Sequence, residues 1–247
     1  MKQRWDSDGK VVYQRCDTPP QTPLLNCLQL APRPSCWAYP DMLELGVDVG
    51  ASPMSLLEGR THFAAWCVLS SPLVLGFDLT NETLYRQLYP IIANRGALSV
   101  NEAWAGHAGR LVSNSTATFV ATTPVGAHGT IPHADPNQTF AAWQIWAKPL
   151  ERSAEGATTR WAALLINVSP APLDIPLVFR DVGGVALGDH VDAADVWTGE
   201  PVPVPAGRTT FRGVAAHDSV FLFLSRQSHQ AAAVLVRLWE ALCSNEL

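Results

Sequence analysis

The run Cys36-Trp37-Ala38-Tyr39-Pro40-Asp41-Met42-Leu43-Glu44-Leu45-Gly46 delivers one acidic residue at the end of an aromatic stretch. Aromatic and aliphatic side chains on an extended segment pack inward, and proline stiffens the backbone ahead of the acid. A carboxylate presented at a strand end that opens into a pocket can move a proton or hold a hydroxyl. Asp41 is the candidate for that work, with Met42 beside it. The same pattern also suits an ordinary buried strand that ends with Asp41 in a turn. A second acidic group lies at Arg4-Trp5-Asp6-Ser7-Asp8, where a guanidinium precedes two carboxylates. A polar, acidic terminus with a chance spacing has this composition too.

The elements that must position these groups change rhythm along the chain. Up to about residue 112 the pattern is strand, helix, strand, helix. Residues 36–45 read as a strand and 48–53 as a Gly/Ser/Pro loop. Ser55 and Glu58 form a capping-box pair that opens a helix carrying Phe63, Trp66, Cys67 and Leu69, side chains expected in the core. Residues 73–79 are almost continuously apolar, as in a parallel strand covered on both faces, with Asp78 at its end. A further helix fits 81–93, and 98–101 add a short extended piece. After residue 112 the period falls to two. Strands are expected at 117–122, 142–147, 161–168, 174–179, 192–197, 209–211 and 219–224, separated by Pro, Gly and Asn turns. That spacing predicts an antiparallel sandwich. From residue 227 on, Ala231, Val234, Leu235, Leu238 and Leu242 recur at helical spacing, so a docking helix or a loosely held extension is expected there.

Bulk properties narrow the function classes. The chain has 247 residues, 47% of them hydrophobic, enough for one large domain or two ordinary ones. A net charge of -5 argues against nucleic acid as a partner. Lysine occurs only at Lys2, Lys10 and Lys148, too few for docking on an anionic membrane. The longest apolar run, residues 63–77, is interrupted by Ser70, Ser71 and Pro72, so no membrane span is expected. Nine tryptophans suit sugar stacking, although core packing accounts for most of them. Cys16, Cys27, Cys36, Cys67 and Cys243 have no metal-ligand spacing, and the odd number leaves at least one unpaired within the chain. His217 reads as a turn or packing residue rather than a metal ligand. Acceptor sequons at Asn81, Asn114, Asn137 and Asn167 favour a secreted or lysosomal/vacuolar protein, although residues 1–6 lack the apolar core of a signal peptide.

Three segments carry a family resemblance. They are residues 36–46, the run Met54-Ser55-Leu56-Leu57-Glu58-Gly59-Arg60-Thr61-His62-Phe63-Ala64-Ala65-Trp66, and Ser71-Pro72-Leu73-Val74-Leu75-Gly76-Phe77-Asp78-Leu79. Together they resemble the α-galactosidase/melibiase family, glycoside hydrolase family 27. The corresponding family segments read roughly W-N-D-P-D-M-L-E-V-G, M-T-T-E-E-Y-R-S-H-F-S-I-W and A-P-L-L-I-G-C-D-I. Asp195-Val196-Trp197 and residues 214–220 similarly resemble D-L-W and V-P-P-H-G-V of the family's C-terminal β-domain. The resemblance covers residues 4–225 and only the C-terminal portion of a family member.

The resemblance implies an α/β plus all-β chain. Residues 1–112 would be the last strands and helices of a (β/α)8 barrel, 113–225 an antiparallel β-sandwich, and 226–247 a helical tail. It implies retaining hydrolysis of terminal α-linked galactose from oligosaccharides or glycolipids. The alternatives are an α-N-acetylgalactosaminidase of the same family or a non-catalytic carbohydrate-binding or interaction module. Such hydrolysis uses two carboxyl groups roughly 5–5.5 Å apart and no metal or organic cofactor. By resemblance Asp8 is the acid/base and Arg4 binds a sugar hydroxyl and holds Asp8; Asp6 takes that role if the register slips by two. Asp8 precedes Asp41 by 33 positions, close to the family spacing, and Lys10 and Tyr13 resemble residues that follow the acid/base. Asp41 would border the sugar pocket and Met42 would line its wall. The family nucleophile stands in a K-x-D strand end on an earlier strand, and no such segment precedes Asp8. Pro19, Pro20 and Pro23 would also break the helix the family places between these two acids. The expectation is therefore an N-terminally truncated form, inactive alone, with its oligomeric state left open.

Overall fold

Side-chain caps decide where the first three helices begin. The computed structural model describes residues 3–5, 11–13, 42–47, 54–120 and 139–227, the first two stretches as backbone. Helix α1 (Leu56–Val68) opens with the expected capping box: Glu58 N donates to Ser55 Oγ at 3.2 Å, and Ser55 N donates to Glu58 Oε2 at 2.8 Å. Helix α2 (Glu82–Ile92) starts where Leu84 N donates to Asn81 Oδ1 at 3.1 Å. Asn94 repeats the device by accepting from Ala97 N at 3.0 Å, and α3 (Arg95–Glu102) follows. Residues 98–101, expected to be extended, are thus helical. Ala97 and Val100, three apart, bury one face of that helix, and a lone apolar pair in a four-residue window could not reveal the period.

Only a trace of parallel sheet lies among the described residues. Leu43 and Leu75 form a parallel bridge, with Leu43 N donating to Val74 O at 2.8 Å. The long strands expected over 36–45 and 73–79 are therefore reduced to this pair, and residues 36–41 lie outside the described residues. Beyond the bridge, a turn at Leu45–Gly46 and the loop at Asp78–Thr80 divert both segments. Strands β1 (Gln3–Trp5) and β2 (Val11–Tyr13) form an antiparallel hairpin in which Arg4 faces Val12.

The second half is the expected sandwich. Its strands are β3 (Arg110–Asn114), β4 (Thr118–Val120), β5 (Thr139–Ala141), β6 (Trp143–Arg152), β7 (Thr158–Asn167), β8 (Leu173–Val178), β9 (Val191–Asp195), β10 (Arg208–Val214) and β11 (Ser219–Arg226). Five of them form one antiparallel sheet in the order β3-β6-β7-β11-β9, faced by the pair β10-β8. Helix α4 (Phe179–Leu187), kinked at Gly184, closes the end of that core. Neither β3 nor α4 was expected, because β3 lacks a clean alternation and the Gly183-Gly184 pair in α4 reads as a turn.

The five-stranded sheet is covered on both faces. Ile145, Ala147, Trp161, Ala163, Leu165, Leu222 and Leu224 point towards β8, β10 and α4. Trp146, Ala162, Leu164 and Phe221 point the other way, towards Phe63, Ala64, Cys67 and Val68 of α1. Consecutive residues 161–165 are therefore all buried, and β7 reads as a continuous apolar run. Each large aliphatic side chain buried this way contributes about 1.5–3 kcal/mol. Contact is close where the layers meet: a Cβ on Gly96 of α3 would fall on the Val196 carbonyl, so only glycine fits. Trp197 fills the seam between Phe63 and Phe221, with the Arg60 guanidinium 5.2 Å over its ring.

Two buried polar groups tie these layers. Lys148 on β6 is fully buried, and its ammonium donates to the Cys67 carbonyl at 3.3 Å, the Asn101 carbonyl at 3.1 Å and the Val100 carbonyl. These carbonyls end α1 and α3, so one cation caps the negative poles of two helices. Burial pushes its pKa down to about 8. Asn167, also fully buried, ends β7; its amide donates to Ala171 O at 2.8 Å, Val214 O at 2.9 Å and Ala215 O at 2.9 Å. Its Oδ1 accepts from Ser169 N and Ser169 Oγ. The Asn167-Val168-Ser169 sequon is thus a knot that joins two loops, β7–β8 and β10–β11.

Candidate functional site

The strand ends at Leu43 and Leu75 bring Met42 against Gly76. A Cβ on Gly76 would stand 2.7 Å from the Leu43 carbonyl and 3.0 Å from Met42 Sδ, so the thioether lies across bare backbone. Met42 is 44% exposed, a surface residue rather than a core residue. Helix α1 holds this strand end through His62: Glu44 N donates to His62 Nε2 at 3.1 Å, and the imidazole lies 3.8 Å from the Trp66 ring. Accepting at Nε2 requires the neutral ring with its proton on Nδ1. Loss of hydration pushes the His62 pKa down to about 4, which keeps that form at neutral pH.

Asp78, the acid at the other strand end, is spoken for locally. Its Oδ1 accepts from Thr80 Oγ1 at 2.7 Å and from Thr80 N at 2.9 Å, and these bonds hold the exposed carboxyl below its ordinary range. It is a turn cap. His217 lies in the turn between β10 and β11 at φ 59, the turn role expected of it. Among the described residues, no three His, Cys, Asp or Glu side chains gather as a metal site.

Of Arg4, Asp6, Asp8, Asp41 and Met42, Met42 is the one whose side chain is described. Asp41, Asp8 and Asp6 lie outside the described residues, and Arg4 enters as backbone of β1. Sequence reasoning passed over His62 and Gly76. His62 stood inside an aromatic stretch read as core, and its spacing of four from Trp66 was the signal that could have marked it. Gly76 inside a continuous apolar run signals close backbone approach.

Residues 141–224 match the family model described as the alpha galactosidase C-terminal beta sandwich domain, the region that holds β6 to β11. Over this region the chain is similar to the C-terminal portion of the α-galactosidase family. It is 26% identical over 165 residues to alpha-galactosidase 2 of Arabidopsis thaliana, covering 67% of this chain and 32% of the relative. Against an alpha-galactosidase of Oryza sativa subsp. japonica it is 33% identical over 164 residues, 66% of this chain and 30% of that one. The chain thus spans about a third of the length of these relatives. Alpha-galactosidase I from Mortierella vinacea shares the fold at 21% identity and a TM-score of 0.58, over 83% of this chain and 43% of that one. A GH27 β-L-arabinopyranosidase from Geobacillus stearothermophilus shares it at 21% identity and a TM-score of 0.53, over 77% and 37%. At these identities the likeness to the solved structures concerns fold alone. The plant relatives the chain matches are glycoside hydrolases.

Proposed function

We propose that the chain carries the acid/base side of a retaining α-galactosidase site, built on the last strands of a (β/α)8 barrel. The observation that supports this reading is the parallel Leu43–Leu75 pairing, which lays Met42 over Gly76 at a strand end in a chain with the family's sandwich. In this reading Asp8 protonates the leaving oxygen and then activates water, Arg4 orients Asp8 and binds a sugar hydroxyl, and Asp41 and Met42 border the galactose. The attacking carboxylate comes from a K-x-D strand end. Lys2, Lys10 and Lys148 are followed two positions on by Arg4, Val12 and Leu150, so these 247 residues contain none. By themselves they turn over no galactoside, because the double displacement cannot start without its nucleophile. The two carboxyl groups need neither a metal nor an organic cofactor for this chemistry.

The substrate is an α-linked galactoside. An α-N-acetylgalactosaminide and a β-L-arabinopyranoside are the comparison substrates, differing from it at the C2 substituent and in lacking the C6 group. A secreted or lysosomal/vacuolar location fits the exposed sequons at Asn81 and Asn114.

The test uses a chimera in which residues 1–247 follow the amino-terminal strands of the rice relative. Asp8→Asn should lower kcat on nitrophenyl α-galactoside by about 10²–10⁴-fold, the usual worth of a general acid/base. Turnover by the chimera that is unchanged in Asp8→Asn would remove the assignment.

A further inference from the structure

The helices cover only part of the sheet face they pack on. Cross-strand register places Glu151, Arg160, Ser225 and Asp192 in one row over β6, β7, β11 and β9. Directly opposed residues of an antiparallel ladder share a face. The next row on that face is Ala162, Phe223 and Ala194, and Ala162 already belongs to the core shared with α1. The polar row therefore lies where helix cover ends. It borders an open groove of about 690 Å³, lined on one side by Arg160 and on the other by the strap Pro201-Val202-Pro203-Val204. Val202 N donates to Ala193 O at 2.8 Å, which holds the strap against the edge strand.

The groove is largely apolar, and its polar row is pre-arranged. The Arg160 guanidinium lies 4.3 Å over the Phe223 ring and donates to Glu151 Oε1 at 3.2 Å, yet it remains 40% exposed. Two fixed neighbours hold it in one orientation and leave other N–H groups facing solvent. Asp192 is exposed at the far end of the row, with the Ser225 hydroxyl between.

We propose that this groove binds a neutral oligosaccharide, at a place separate from the strand ends at Met42. Donors and acceptors alternate along the row at the strand spacing of about 4.8 Å, which suits hydroxyls spread around a pyranose better than one compact anion. Two carboxylates around one guanidinium repel phosphate and nucleic acid. The exposed rings of Pro201 and Pro203 offer apolar faces to sugar C–H groups. The volume lies within the roughly 300–1,000 Å³ of small-ligand sites.

The test is titration of the whole 247-residue chain with raffinose and with galactose, followed by amide NMR shifts and calorimetry. Expected are shifts at Ser225 and Ala194, with affinity at this site lowered tenfold or more by Arg160→Met and by Asp192→Asn. Met42→Ala should leave those shifts unchanged, which separates this groove from the strand-end site. Asp192→Asn alters an exposed side chain and so reports even if Arg160→Met fails to fold. Absence of shifts at Ser225 and Ala194 up to the solubility limit would overturn the proposal. So would binding indifferent to both substitutions.

Discussion

The sandwich and the strand-end region solve opposite problems. In the sandwich, ten-residue strands β6 and β7 pair along their length, and both faces of the sheet are buried. The region around Met42 anchors Leu43, Leu45 and Phe77 in the core but joins its backbone through one parallel bridge and one imidazole, and it leaves Met42, Leu79 and Tyr89 at 44%, 58% and 51% exposure. The difference separates stability from chemistry. A closed sheet core tolerates no vacancy, whereas a strand end that must meet a ligand keeps its side chains in the open. Damage to the first should unfold the chain, and damage to the second should leave a folded chain with an altered site.

Asn167→Ala attacks the sandwich at its polar knot and should cost about 4 kcal/mol in urea unfolding, since several buried carbonyls lose their donor together. A loss below 1 kcal/mol would show that the knot is dispensable. Lys148→Ala attacks the join between the two regions and should cost about 3 kcal/mol through a cavity and orphaned helix-end carbonyls.

Lys148 also sets a pH signature. Its pKa is about 8 when folded and 10.5 when exposed, so between these values the unfolded chain binds more protons and stability rises with pH. Cys67, pushed up to about 12 from 9.0 by burial, acts in the opposite sense above pH 9. The lysine contribution is therefore cleanest between pH 8 and 9, and Lys148→Met should erase it. A slope that survives the substitution assigns it elsewhere.

Gly76→Ala targets the strand ends. The new methyl meets the Leu43 carbonyl and Met42 Sδ, so a loss of about 1–2 kcal/mol should accompany a displaced Met42 signal in NMR. An undisturbed Met42 would show that the crossing is looser than described. The acid-side test belongs to His62. Its pKa is about 4 folded against 6.5 exposed, so its contribution is complete above pH 6.5 and is lost as pH falls towards 4. His62→Gln should flatten the fall in melting temperature across that window. An unchanged curve would dismiss the imidazole as the acid-sensitive tie.

The two regions were also unequally legible in the sequence. The helix starts at Ser55 and Asn81 could be read because a cap is local: one side chain and a backbone N–H three residues on. The sandwich strands could be read from their turns. Helix α3 was missed because its buried pair, Ala97 and Val100, makes too short a period. Lys148 stayed silent, since its partners lie 47 to 81 positions away and no local pattern announces a cation meeting two helix ends. Asp41-Met42 and Arg4 to Asp8 stand in the sequence as motifs, and of these residues the Met42 side chain alone is described. What the motif could not convey was the clearance over Gly76 and the tie to His62, both of which arise from tertiary contact.

Methyl NMR of the chain with labelled methionine tests the central claim most directly. Its three methionines are Met1, Met42 and Met54, so Met54, packed against the core, serves as the internal reference. Saturating galactose should shift the Met42 methyl and leave Met54 in place. A Met42 methyl that ignores galactose while the chain stays folded would contradict the claim.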